Sequence, residues 1–244
     1  MHETTHTAAY TGDPHKEYHH KKIRHIETQT EWECRMFGKV MECLREELCI
    51  DLPYMERALA ALEPEGKENV HAFATEGIHL YYPPAHYLKL FEENELFLRR
   101  AYLHTVLHCL YAHLWQRADR AEGLWNLACD IAVEAVIDSL DQPSTKRLLS
   151  WTRQQIYERL REKKLYSAAG IYGLLENEPP EKLAILAQEF YTDDHALWGS
   201  RQKQSPMPGQ GEPPDPVQQK WQQIARRVQL QKEKSDQRQD MAAA

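Results

Sequence analysis

From Trp32 onward the apolar positions recur at threes and fours. Trp32, Met36, Val40, Cys43, Leu44 and Leu48 share one side of a 3.6-residue repeat, and the spacing predicts a helix. Asp51 ahead of LPYMERALAALEP fits the N-cap of a second helix with Pro53 in its first turn, so the domain opens on an α-hairpin. The repeat then changes. In VHAFATEGIHLYYPP, residues 70 to 84, apolar and polar positions alternate around Glu76-Gly77, which predicts two short strands joined by a turn and stopped by Pro83 and Pro84. Helical spacing returns over 86–117 and 122–140, then over 151–163 and 180–191. The pattern is that of a mostly helical α+β domain with a small β-hairpin.

The flanks lack such a repeat. Residues 1–28 are rich in His, Lys and Thr and cannot repay the entropy of ordering by burial, so a mobile arm is expected there. The main domain is read over 29–199. A Pro, Gly and Gln linker follows over 200–216, and residues 217–244 form a polar C-terminal helix that frays into a tail. No internal repeat is visible.

Composition narrows the function classes. Among 244 residues the formal net charge is -7, which leaves no basic footprint for nucleic acid. No stretch of eighteen apolar residues and no signal-peptide core occurs, so neither a membrane span nor export is expected. Cys34, Cys43, Cys49, Cys109 and Cys129 are odd in number and contain no CxxC pair, which suits reduced thiols in a cytoplasmic protein.

The chemistry concentrates in LRRAYLHTVLHCLYAHLW. His104 and His108 have the spacing of a zinc-peptidase helix, about 40° apart on one face, but Thr105 stands where the HExxH pattern has glutamate. Two imidazoles on a helix this apolar need polar partners, and zinc satisfies such a pair jointly. The next helix, LWNLACDIAVEAVIDSL, carries Asn126, Asp130, Glu134 and Asp138 at intervals of four, a polar stripe in an apolar helix. Packed against the histidines, Asp130 or Glu134 supplies a third ligand. His113 competes only if the first helix ends near Tyr111 or Ala112, since an unbroken helix turns it about 180° away from His104. The plainer alternative pairs the carboxylates with Arg99, Arg100 or Arg117 and needs no metal. A second string, His2-Glu3-Thr4-Thr5-His6, matches HExxH letter for letter but has nothing apolar to hold it as a helix. His71 and His79 on the strands are read as surface residues, and Tyr81 and Tyr82 as packing. Asp193, Asp194 and His195 in DDHALWG are read as a helix cap, with His195 a distant fourth ligand candidate.

Several segments in order resemble a known family: ATEGIHLYYPP, HTVLHCLYAHLWQR, LWNLACDIAVEAVID, QQIYERL and DDHALWG, spanning about residues 35 to 230. The chain is similar to the zincin-like metallopeptidase domain that in bacteria commonly precedes a von Willebrand factor A-like domain. The resemblance implies a pattern HExxHxxxxH, matched by His104, His108 and His113, followed by a helix with Asn126 and Asp130. Thr105 departs from its glutamate and Glu134 from its asparagine, and the A-like domain is missing from this chain.

These departures bear on mechanism. A threonine cannot act as base near neutral pH, so either Glu134 takes that role or it closes the metal shell and no hydrolysis follows. The expectation is a zincin-like α+β domain with its small sheet beside the active-site helix, where an edge strand can pair with an extended peptide. One Zn2+ is bound by His104, His108 and Asp130, with His113 as alternative third ligand and with Glu134 and Thr105 at the catalytic positions. A peptide or protein is the substrate. The alternative is a non-catalytic, metal-stabilised module that engages a protein partner such as an A-like domain or an ATPase.

Overall fold

The computed structural model describes residues 26–199 and 215–243. The His2 to His6 string, most of the arm and most of the linker lie outside the described residues.

Helix α1, Gln29–Asp51, opens on a capping box in which Thr28 and Glu31 satisfy each other's backbone N–H groups. Its buried face is Phe37, Met41, Leu44 and Leu48, one position beyond much of the stripe read from the sequence, and Trp32 stays exposed. Asp51 does not cap a second helix. It is the last residue of α1, and its Oδ2 accepts a hydrogen bond from Ser144 N at 2.7 Å. The chain turns through Leu52 into a 3-10 turn at Pro53–Met55, with proline at its start as expected, and then into α2, Glu56–Leu59.

A three-stranded sheet follows. Strand β3, His79–Tyr82, lies between β1, Glu63–Gly66, and β2, Ala74–Thr75; β1 pairs with it parallel and β2 antiparallel. The β2–β3 hairpin is the one expected. Gly77 takes φ +96° in its turn, and a Cβ there would come within 3.1 Å of the Trp115 ring and Val217. Thr75 Oγ1 locks the turn, accepting from Gly77 N and donating to His79 O. The sequence reading assigns β1 no strand, because Glu63-Pro64-Glu65-Gly66 has no apolar alternation and lies exposed at the edge.

Helix α3, Pro84–Leu110, runs beneath α1 and is kinked at Asn94. It ends before Ala112, whose left-handed conformation (φ 57°) turns the chain into a 3-10 turn at His113–Trp115. The expected helix over 86–117 is therefore broken. Helix α4, Glu122–Ser139, packs against α3, and α5, Trp151–Lys163, and α7, Pro180–Phe190, lie where periodicity predicts them. Helix α6, Ala168–Leu175, is additional and packs on α4.

Helix α8, Pro216–Ala243, is docked on the domain. Trp221 is fully buried and its Nε1 donates to Gly77 O at 2.8 Å, while Trp115 Nε1 donates to Asp215 Oδ2 at 3.1 Å. The core is continuous from α1 through the sheet, α3 and α4 to Trp221. No helix among the described residues is long and apolar enough to cross a membrane.

Candidate metal centre

From Arg100 to Cys109 every residue of α3 is buried, so both histidines of this helix face protein. One turn apart, His104 and His108 bring their Nε2 atoms within 2.7 Å of each other. Helix α4 crosses in front of them and places Asp130 Oδ1 3.3 Å from each of these nitrogens.

The remaining members come from the segment after α7. There Asp194 N donates to Phe73 O at 2.7 Å and the backbone bridges Ala74, so this segment lies along the outer edge of β2. Asp194 itself accepts from Ala196 N and holds the turn. Its neighbours point inward. Asp193 Oδ1 lies 2.8 Å from His195 Nε2 and 3.5 Å from His104 Nε2, and His195 Nε2 is 3.2 Å from Asp130 Oδ1. Trp198 stacks on the His195 ring at 3.8 Å and meets the His108 ring edge-on.

His104, His108, Asp130, Asp193 and His195 thus offer five ligand atoms within 4.8 Å of one another, all buried. This group could hold a metal ion. The contacting donor pairs are 2.7 to 3.9 Å apart, around the roughly 3.3 Å between donors that each sit about 2.0–2.1 Å from a shared tetrahedral ion. Asp193 Oδ1 and His195 Nε2 are buried 2.8 Å apart and answer each other by charge without hydrogen-bond geometry, which leaves both short of a directed partner. The two carboxylates carry two negative charges that burial penalises unless cations answer them.

Without a metal, protons supply that charge. Burial opposes a charged His195, but Asp130 and Asp193 overcome it and raise its pKa to about 10. Burial likewise opposes charge on His104, and the field of Asp193 with bonds to Asp130, Asp193 and Glu134 raises it well above the usual imidazole value. His108, penalised by burial and by the charge on His104, is pushed down to about 4 and stays neutral. Against their burial, Asp130 and Asp193 are held ionised by the neighbouring histidines. Two protons thus do what one divalent ion would do.

The other sequence candidates are placed as follows. His113 returns toward the site because the helix stops, but its Nδ1 faces His108 Nδ1 at 3.0 Å, behind that ring and outside the group of five. Thr105 sits behind Asp193, its hydroxyl 2.8 Å from Asp193 Oδ2 and 3.1 Å from Ala101 O, with one proton for the two acceptors. Glu134 is on the far side of His104, with Oε1 2.9 Å from His104 Nδ1 and Oε2 accepting from Arg100 and Arg153 at 2.6 Å each. The arginine-pairing alternative therefore describes Glu134 and Asp138, while Asp130 faces the histidines. Arg99 and Arg117 pair elsewhere, with Glu47 and Glu95 and with Glu122. His79 is bonded to Glu76 on the hairpin, His71 is exposed, and neither joins the group. The sequence reading leaves Asp193 out of the ligand set and His195 at its margin. The signal it had was an acid, a histidine and a tryptophan within six residues.

One small opening reaches His195. A recess of about 10 Å³, lined by Trp125, Asn126, His195 and Trp198, has room for roughly one water.

Residues 42–243 match the family described as a putative metallopeptidase domain. The chain belongs to this family. No curated protein and no solved structure matches it. The span matched to this family contains all five residues of the buried group and includes α8.

Proposed function

We propose that the chain is a zinc-binding, metallopeptidase-like protein whose centre, as folded here, is closed to peptide. The observation that carries this reading is the convergence of five buried donors where catalytic zinc sites use three and leave a position open. Three imidazoles among five donors favour zinc over hard cations, which prefer oxygen. His104, His108 and Asp130 would hold the ion, and Asp193 and His195 complete the set. When bound, zinc supplies a Lewis acid and can lower the pKa of a coordinated water. Two features argue against hydrolysis in this form: Thr105 offers no base, and the Asp193–Trp198 segment covers the donors and fills the β2 edge that an extended peptide would need.

The test is hydrolysis by the zinc-loaded, untagged chain of an unbiased peptide library. No cleavage above the metal-free control is expected. Zinc-dependent cleavage by the wild type would overturn the closed-centre reading. A role in engaging a protein partner from the cytoplasm has separate support: strongly exposed Tyr166 lines an apolar cleft of about 670 Å³ between α4, α5 and α6, and Leu148 and Trp151, also strongly exposed, flank the cleft residue Leu149 in the chain. An A-like domain, drawn from the sequence resemblance, is the partner class proposed.

A further inference from the structure

Behind His104 lies a second buried cluster that donates nothing to the ligand group. It consists of Arg100, Glu134, Asp138 and Arg153, with side chains no more than 5% exposed. Arg100 Nη2 donates to Glu134 Oε2 at 2.6 Å and to Asp138 Oδ1 at 2.7 Å, and its Nη1 donates to Thr145 O. Arg153 Nη1 donates to the same Glu134 Oε2 at 2.6 Å and to Asp138 Oδ2 at 3.0 Å, and its Nε is held by Glu189 at 2.8 Å. Tyr157 closes the cluster with a hydroxyl bond to Asp138 Oδ2 at 2.7 Å.

Arg100 and Arg153 face three carboxylates, Glu134, Asp138 and Glu189, and Arg147, 3.4 Å from Glu189, brings the third positive charge, so the cluster balances without the metal site. Such a buried ionic lattice adds little stability, since desolvation offsets most of the attraction and apolar side chains of similar volume often do as well. Its geometric consequence is larger. With Oε2 pinned by two arginines, Glu134 can turn neither oxygen freely, and Oε1 stays 2.9 Å from His104 Nδ1. An ionised carboxylate only accepts, so His104 Nδ1 must carry a proton, and a metal can take only Nε2, the atom aimed at His108 and Asp130.

We infer that Arg100 and Arg153 are positioning residues of the metal centre, acting through Glu134 to fix the ring plane and the ligating nitrogen of His104. This rests on the proposed metal-binding reading and assigns Glu134 the role of orienting partner. Outer partners of metal-bound histidines typically contribute about 10–100-fold to metal affinity.

The experiment compares wild type, Glu134→Gln, Arg153→Met and Tyr157→Phe. Zinc affinity is read by competition with Co2+ through the cobalt absorption bands, and the His104 Nδ1–H proton by NMR with and without zinc. Glu134→Gln and Arg153→Met should bind zinc about 10–100-fold more weakly, alter the cobalt spectrum, and lose the slowly exchanging Nδ1–H signal. Tyr157→Phe removes the hydroxyl that donates to Asp138 and accepts from Arg153 Nη1 at 3.3 Å, but leaves Arg153 its bonds to Glu134, Asp138 and Glu189, so it should keep wild-type affinity and spectrum even if it melts earlier. If Arg153→Met does not fold, the near-isosteric Glu134→Gln carries the comparison alone. Wild-type affinity and an intact Nδ1–H signal in the first two variants would overturn the inference, as would losses in all three that simply track thermal stability. A wild type that binds no metal would instead sink the proposed function. The Nδ1–H signal then still decides the positioning role, supporting it if lost in Glu134→Gln and overturning it if kept.

Discussion

Asp130 and Glu134 are buried carboxylates one turn apart on α4, and they have different work. Glu134 meets two guanidinium groups that are charged at any accessible pH, so its charge is settled within the protein. Asp130 meets imidazoles at 3.2 to 3.3 Å, and Asp193 joins it there, with no arginine or lysine paired to either among the described residues. The difference shows that burial alone does not mark a metal ligand. The counter-charge does: a carboxylate paired with arginine is complete, while one paired with histidine still needs protons or a metal.

The strongest way to break that contrast is Asp130→Asn. It removes the charge that three imidazoles share, and zinc binding should weaken by at least about 100-fold, a larger loss than at the outer partner Glu134. Isothermal titration of both variants checks the order. His113→Gln, which alters only the back of His108, should cost about 10-fold or less, and a greater loss than for Asp130→Asn would move the third ligand to His113.

Thr105→Glu comes next. The HExxH pattern suggests that restoring this glutamate creates a base, but Thr105 is fully buried and already touches Asp193. The longer acid is forced against a like charge, and overpacking alone should cost about 1–3 kcal/mol. The expected outcome in a melting experiment is a lower Tm, with no gain in peptide hydrolysis.

Smaller, but sharper in sign, is the pH response. His104 and His195 have raised pKa values in the metal-free fold. They therefore contribute stability that is complete below the unfolded imidazole value of about 6.5 and lost as pH rises through their raised values, about 10 for His195. Zinc must displace those protons, so its affinity should rise over the same range. Metal-free and zinc-loaded melting temperatures should diverge between pH 6.5 and 9, the first falling while zinc stabilisation grows. Parallel curves would show that the two histidines do not carry the compensating charge.

The parts of this site that lie on helices were legible. Spacings of four fix one face, so His104 with His108 and Asp130 with Glu134 were visible as facing sets before any packing was known. Which carboxylate faced which partner was not, because helix rotation is set by tertiary contacts such as Arg153 from α5. Asp193 and His195 were hidden for another reason. They sit in a segment without periodicity, placed by one backbone bridge to β2, and their neighbour Asp194 holds a turn there rather than the helix start the sequence suggested for all three. The break at Ala112 was equally silent, since an alanine gives no signal for a left-handed turn. Strand β1 lacks any apolar alternation, and α8 gave no sign that Trp221 would anchor it.

The central claim is that the buried His/Asp group binds one divalent metal ion. Its most direct test is metal analysis of the full untagged chain, expressed with zinc supplementation and purified without chelator. The account predicts one zinc per chain, lost in His104→Ala and His108→Ala, with a Tm that falls when the wild type is chelated. A folded wild-type chain that carries no metal and melts identically with and without chelator would contradict it.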